Sequence, residues 1–175
     1  MKRFLMSFAL LATLGTSLPA SAASFWQCLK TQPVYFDGTI TDAAVATEAL
    51  SILTDQVINA GLAETLASPG NFTVYAPVND AFLAIPSDIL SAITADPDGL
   101  LKAVLLYHVS NGYYDPRRAY FPRKAPTEAG QNIFFSRGGG SPRVNNANVQ
   151  CQPVRTTNGT VFIIDSVLLP QFFAQ

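Results

Sequence analysis

Histidine occurs once in the sequence, at position 108, and cysteine twice, at 28 and 151. That scarcity excludes the common metal centres, which need several Cys, His or carboxylate ligands at short spacings. No G-x-S-x-G segment is present; the nearest string, GGGSP at 138–142, lacks the closing glycine. A nucleophile elbow of the hydrolase kind is therefore not expected. Charged residues make up only 13% of the chain against 49% hydrophobic, which excludes an extended, self-repelling polypeptide. Beyond the first 22 residues no apolar run is long enough to span a bilayer. A net charge of −1 with one local basic cluster argues against nucleic acid as a partner.

What is present starts with a leader. Lys2-Arg3, the apolar stretch Phe4 to Leu14 and the small residues Ala20-Ser21-Ala22 read as a secretory signal peptide, residues 1–22. The expected location is secreted or periplasmic. An N-terminal arm, 23–40, precedes one domain, 41–172. Export to an oxidising compartment makes a Cys28–Cys151 disulfide the expected state, tying the arm to a late strand. Charge is split along the mature chain. Residues 23–112 carry two basic and nine acidic side chains, and 113–175 carry seven basic and three acidic.

The order of elements argues α+β, helices first and strands later. Val45, Ala49, Ile52, Leu53, Val57 and Ala60 fall at helical spacing, with Thr41 or Asp42 as cap and Gly61 as stop. FTVYAPVNDAF, 72–82, opens as a strand with Phe72, Val74 and Ala76 alternating against Thr73, and then meets Pro77, which lacks a donor for a central ladder. Asn79 or Asp80 is expected to cap the helix that follows, with Phe82 plugging the core. Ser87 is expected to cap the next one. Asp96-Pro97 opens a helix apolar nearly all round, ended by Asn111-Gly112. The stretch 113–131 reads as a long exposed loop, 132–137 as a strand, and Thr157-Asn158-Gly159 as a hairpin turn with positive φ.

Three of these segments, in order, resemble the signatures of the fasciclin-like (FAS1) domain family. FTVYAPVNDAF is similar to its first box, LLKAVLLYHV to its Tyr-His segment, and NGTVFIIDSVLLP to its second box. The likeness covers about Thr41 to Pro170. It implies a fasciclin-like fold, a β-wedge or sandwich flanked by helices. It also implies adhesion or matrix contact with a cell-surface or matrix protein or glycan, without catalysis or a cofactor. The Tyr-His segment of the family is linked to cell attachment, and Tyr107-His108 match it. An acidic pair used by some animal members to bind integrins is replaced here by Pro153-Val154-Arg155.

Read as sites, most of these residues have simpler structural roles. His108 lies on an apolar helix face and reads as a satisfied core histidine; the rival is a small-ligand pocket or hydrolase centred on it. Asp165, among branched residues, must face solvent or find a donor. The candidate contact patch is Tyr113, Tyr114, Arg117, Arg118, Tyr120, Phe121, Arg123 and Lys124, since Tyr and Arg are enriched where partners bind. That loop is also the expected contact if the module binds polysaccharide or anionic lipid. Two N-x-T sequons start at Asn71 and Asn158, and neither is expected to be modified in a bacterial-type protein.

Overall fold

The computed structural model describes residues 25–118 and 123–171. The expected leader, and Tyr120 and Phe121 of the contact patch, lie outside the described residues. The helices are α1 (Phe25–Lys30), α2 (Ile40–Val45), α3 (Ser51–Asn59), α4 (Ala63–Ala67), α5 (Asn79–Leu83), α6 (Ser87–Thr94) and α7 (Lys102–Tyr107). The strands are β1 (Val34–Tyr35), β2 (Phe72–Pro77), β3 (Val109–Asn111), β4 (Arg123–Pro126), β5 (Asn132–Gly138), β6 (Ser141–Val144), β7 (Ala147–Asn148), β8 (Val154–Arg155) and β9 (Gly159–Ile164).

The strands form two sheets, ordered β1-β8-β9-β2-β3 and β4-β5-β6-β7. At the centre of the first, β2 runs parallel to β9 from Phe72↔Gly159 to Pro77↔Ile164 and antiparallel to β3. Alternation along β2 divides the interior in two. Val74 and Ala76 enter a core with Leu50, Leu53, Val57 and Leu105 from the helical half and Val109 of β3. Tyr75 points the other way, joining Ile133, Phe135, Val144, Phe162, Ile164 and Leu168 between the sheets. The α+β expectation holds, and the central strands are buried on both faces because helices cover one side and the second sheet the other.

Several local expectations are corrected. The helical pattern from Thr41 to Ala60 is broken into α2, a 3₁₀ turn (Glu48–Leu50) and α3. Val45 is 64% exposed instead of sharing the core face. Neither Thr41 nor Asp42 is the cap. Thr39 is, in a reciprocal box: the Asp42 N–H donates to Thr39 Oγ1 at 3.2 Å, and the Thr39 N–H donates to Asp42 Oδ2 at 2.8 Å. Those Thr39 bonds hold the Asp42 carboxyl below its ordinary range. Gly61, at φ +66°, ends α3 as expected. Pro86, not Ser87, precedes α6, with no side-chain cap bond.

The helix opened by Asp96 also ends early. Asp96 accepts from the Gly99 and Leu100 amides, both at 3.0 Å, over a wide first turn (Pro97–Leu101). The helix stops at Tyr107 with His108 as its cap residue, so Asn111 belongs to strand β3 and not to a helix end. The arm is not irregular. It forms α1, and its β1 runs parallel to β8 as an edge strand. The 113–131 stretch contains a 3₁₀ turn (Pro116–Arg118) and β4.

Candidate functional site

The elbow after β2 is built on backbone parity. Phe72 and Val78 donate their N–H groups to the carbonyls of Asn158, just before β9, and Ile164, at its end, while Tyr75 donates to His108 on the opposite side. Odd residues of β2 therefore face β3, and Pro77 is odd. Its missing donor lies beyond the last β2–β3 pair, Val74↔Val109. Pro77 thus forms the last pair of the parallel ladder, with Ile164, without losing a bond, and β2 ends there as expected.

Asn79 does not cap its own helix. Its Oδ1 accepts from the Ile52 amide at 3.0 Å, and its Nδ2 donates to the Glu48 carbonyl at 3.1 Å and Ser51 Oγ at 3.0 Å. It caps α3 from across the fold, because the elbow delivers a side-chain oxygen to free N–H groups there. Asp80 is exposed on the first turn of α5, and Phe82 is buried.

His108 and Tyr107 are buried, which corrects their reading as a contact pair. His108 Nδ1 lies 2.8 Å from the Val104 carbonyl, and the Leu168 N–H donates to Nε2 at 2.9 Å. A carbonyl only accepts and an amide only donates, so the ring is the neutral Nδ1–H tautomer. Burial lowers its pKa from 6.5 to about 4. It borders two apolar cavities of about 40 and 10 Å³, and neither lining contains serine, cysteine or carboxylate among the described residues. With Nε2 already accepting, the ring has no lone pair for a general base, and the hydrolase or small-ligand reading loses its central residue. The Tyr107 hydroxyl donates to the Asn132 carbonyl and accepts from Asn145 Nδ2.

The second box is equally occupied. Asn158 is 3% exposed. Its Oδ1 accepts from the Ile40 amide at 2.9 Å, and its Nδ2 donates to the Leu66 and Ser68 carbonyls at 2.7 and 2.8 Å. One side chain thereby joins the β8–β9 turn to α2 and α4, and no amide is left for a glycan. The turn uses no positive φ at Asn158 or Gly159, unlike the expectation. Gly159 is required for another reason: a Cβ there would collide with the backbone oxygen of Phe72 on β2. Asp165 finds donors in the Asn148 amide and side chain, at 2.8 and 2.6 Å, and so holds β7.

Arg117 is the largest correction within the contact patch. It is 5% exposed. Its Nη2 and Nε bind the two Asp115 oxygens at 2.8 and 3.0 Å, and its Nη1 donates to the carbonyls of Thr31 and Cys151 at 2.9 and 3.0 Å. Burial works against this charge, but the Asp115 bonds outweigh it and hold the guanidinium ionised. Cys28 and Cys151 are joined in a disulfide with Cα atoms 4.7 Å apart, so the same carbonyl region is clamped twice. Cys151 lies in the bend after β7 and not within a strand. Sequence reading missed this clamp, although an aspartate before proline is an Asx-turn signal, here realised as Arg117 N–H donating to Asp115 Oδ1.

What remains outward is a smaller face. Thr73 Oγ1 donates to the Gly112 carbonyl and accepts from the Tyr114 amide, and the Tyr75 hydroxyl donates to the Tyr114 carbonyl. These bonds fix the backbone of 112–115 and leave Tyr113 39% exposed. The Arg118 side chain is 71% exposed. Arg123, Lys124 and Arg155 are exposed as well, and the Arg155 guanidinium stands 5.2 Å from the Tyr113 ring centre. Arg155 was not among the sequence candidates, because β8 brings it to the loop from 37 residues away in the chain after Arg118. Two grooves of about 360 and 230 Å³ share Tyr113 and Arg118. Among the described residues no group of three or more Cys, His, Asp or Glu could hold a metal.

The family model of the fasciclin domain matches residues 48–170. The chain belongs to the fasciclin domain family. Protein sll1483 of Synechocystis is 36% identical over 134 residues, covering 75% of this chain and 73% of that one. Immunogenic protein MPB70 of Mycobacterium bovis is 38% identical over 71% of this chain, and the match spans 61% of MPB70's own length. Cell surface glycolipoprotein MPB83 of the same species is 36% identical, with 71% of this chain and 54% of MPB83 covered. A FAS1 domain pair from the insect cell adhesion molecule Fasciclin I shares the fold at a TM-score of 0.55 and 26% identity, over 70% of this chain and 46% of that one. The fasciclin-domain boxes are thus a scaffold whose polar atoms are mostly spent internally. Among the described residues no helix is long and apolar enough to cross a membrane.

Proposed function

We propose that this fasciclin-domain chain is a secreted or periplasmic, non-catalytic interaction module that binds a protein or glycan at a cell surface or in a matrix. One observation carries the reading. Both nitrogens of the single histidine are committed to backbone, whereas the Tyr113–Arg118–Arg155 face carries exposed side chains within reach of a partner. The cell-surface and adhesion roles carried in the names of MPB83 and Fasciclin I support it. A second reading, attachment to polysaccharide or anionic lipid through the 113–124 loop, is favoured by the exposed Arg118, Arg123 and Lys124.

The test is a sedimentation assay of the oxidised chain with native envelope fragments and extracellular polymer, run beside a panel of activated esters. Saturable retention without turnover supports the module. Ester turnover that disappears in His108→Gln would overturn it.

A further inference from the structure

We propose that the two grooves flanking Tyr113 bind a linear acidic polysaccharide, with Arg118 and Arg155 reading its anionic groups and Tyr113 as the wall between them. This rests on the interaction-module reading and names its ligand class.

Charge is the first argument. The two grooves are lined by Arg117, Arg118, Arg123, Lys124 and Arg155, and Asp115 is the one acid among their lining residues. Asp115 is spent: its side chain is 2% exposed and both oxygens accept from Arg117. Arg118 stands further off, at 3.6 Å from the same carboxylate. Five cations against one acid leave a net positive field, reaching solvent through the exposed Arg118, Arg123, Lys124 and Arg155. Three of these four are arginines, whose planar fork suits the paired oxygens of carboxylate or sulfate.

Shape is the second. The cations line concave tracks that meet at Tyr113, and a concave track follows a chain, whereas a bilayer would rest on a flat or convex patch. The smaller groove is walled by the arm, through Gln32 and Tyr35, and by Pro153 and Arg155 at β8. Rigidity is the third. Arg117 bonds to Thr31 in one wall and Cys151 beside the other, and the Cys28–Cys151 disulfide ties the same two segments. The groove is set before a ligand arrives, so little ordering opposes binding.

Calorimetry with the full oxidised chain provides the test. The probes are a hexagalacturonate (carboxylate), a heparin-derived hexasaccharide (sulfate), maltohexaose (neutral) and phosphatidylglycerol vesicles. At least one charged hexasaccharide should bind, with affinity falling as salt rises. Arg118→Ala/Arg155→Ala should weaken it by about tenfold or more, and Tyr113→Ala by several-fold, with circular dichroism and Tm unchanged. Three outcomes overturn the inference: binding indifferent to the double substitution, vesicle binding without hexasaccharide binding, or equal binding of maltohexaose. If neither charged sugar binds while envelope retention persists, the glycan assignment fails and the module reading stands. Loss of both removes the two together.

Discussion

Lowering the pH should destabilise the fold through His108 specifically. The ring is neutral when folded, with its pKa lowered from 6.5 to about 4 by burial. The unfolded chain therefore takes up a proton that the folded one refuses. A depressed histidine pKa gives stability that is fully present above about pH 6.5, falls as the pH drops, and levels off below about 4. With one proton at stake the slope is limited to about 1.4 kcal/mol per pH unit. The cumulative loss is about 1 kcal/mol at pH 5.5 and about 3 kcal/mol at pH 4. Urea unfolding of the oxidised protein across this range gives the profile, and His108→Gln removes the titrating group while keeping an amide able to reach the same backbone. The difference between the two profiles isolates His108 from every group the two proteins share. If the difference is flat from pH 7 to 4, the ring is not the buried neutral tautomer described, and its dismissal as an acid–base group falls with it.

Arg117→Ala strips the buried Asp115 of its main charge partner, leaving the Tyr113 hydroxyl, the residue-117 amide and the more distant Arg118, and should lower unfolding free energy by about 3 kcal/mol; Asp115→Asn/Arg117→Met should recover much of that, as a double-mutant cycle in urea would show. Asn158→Ala orphans an amide and two carbonyls and should lose about 3 kcal/mol by the same measurement, whereas Asn71→Ala at the other sequon, an exposed position, should be near neutral. Gly159→Ala should not fold to a native near-ultraviolet spectrum, because β2 and β9 cannot keep their spacing. Replacing Cys28 and Cys151 by Ser opens a loop with a sequence separation of 123 residues. The chain-entropy account gives about 4–5 kcal/mol for it, readable as a shift in urea midpoint.

The outline of the fold was legible because its strongest signals are local. Branched residues in β9, the alternation in β2 and Asp96-Pro97 each specify an element from within a few residues. Polar placement was harder to read for a physical reason. Asn79 and Asn158 look like local cap and turn residues, and in sequence nothing separates a side chain bonding its own turn from one bonding a helix 28 or 92 residues away. The same holds for Arg117, which counts as surface charge until Asp115, Thr31 and Cys151 converge on it. Arg155 was invisible as a site residue because only the β8–β1 and β8–β9 pairings carry it to Tyr113. Single-chain periodicity reports which face is apolar. It does not report which polar groups meet across the fold.

The most direct check is retention on native envelope fragments, comparing the wild-type chain with Tyr113→Ala/Arg118→Ala/Arg155→Ala at matched Tm. If contact is made through the exposed Tyr113–Arg118–Arg155 face, retention of the triple variant drops to that of an unrelated protein. Equal retention of the two would place the binding surface elsewhere and contradict the account.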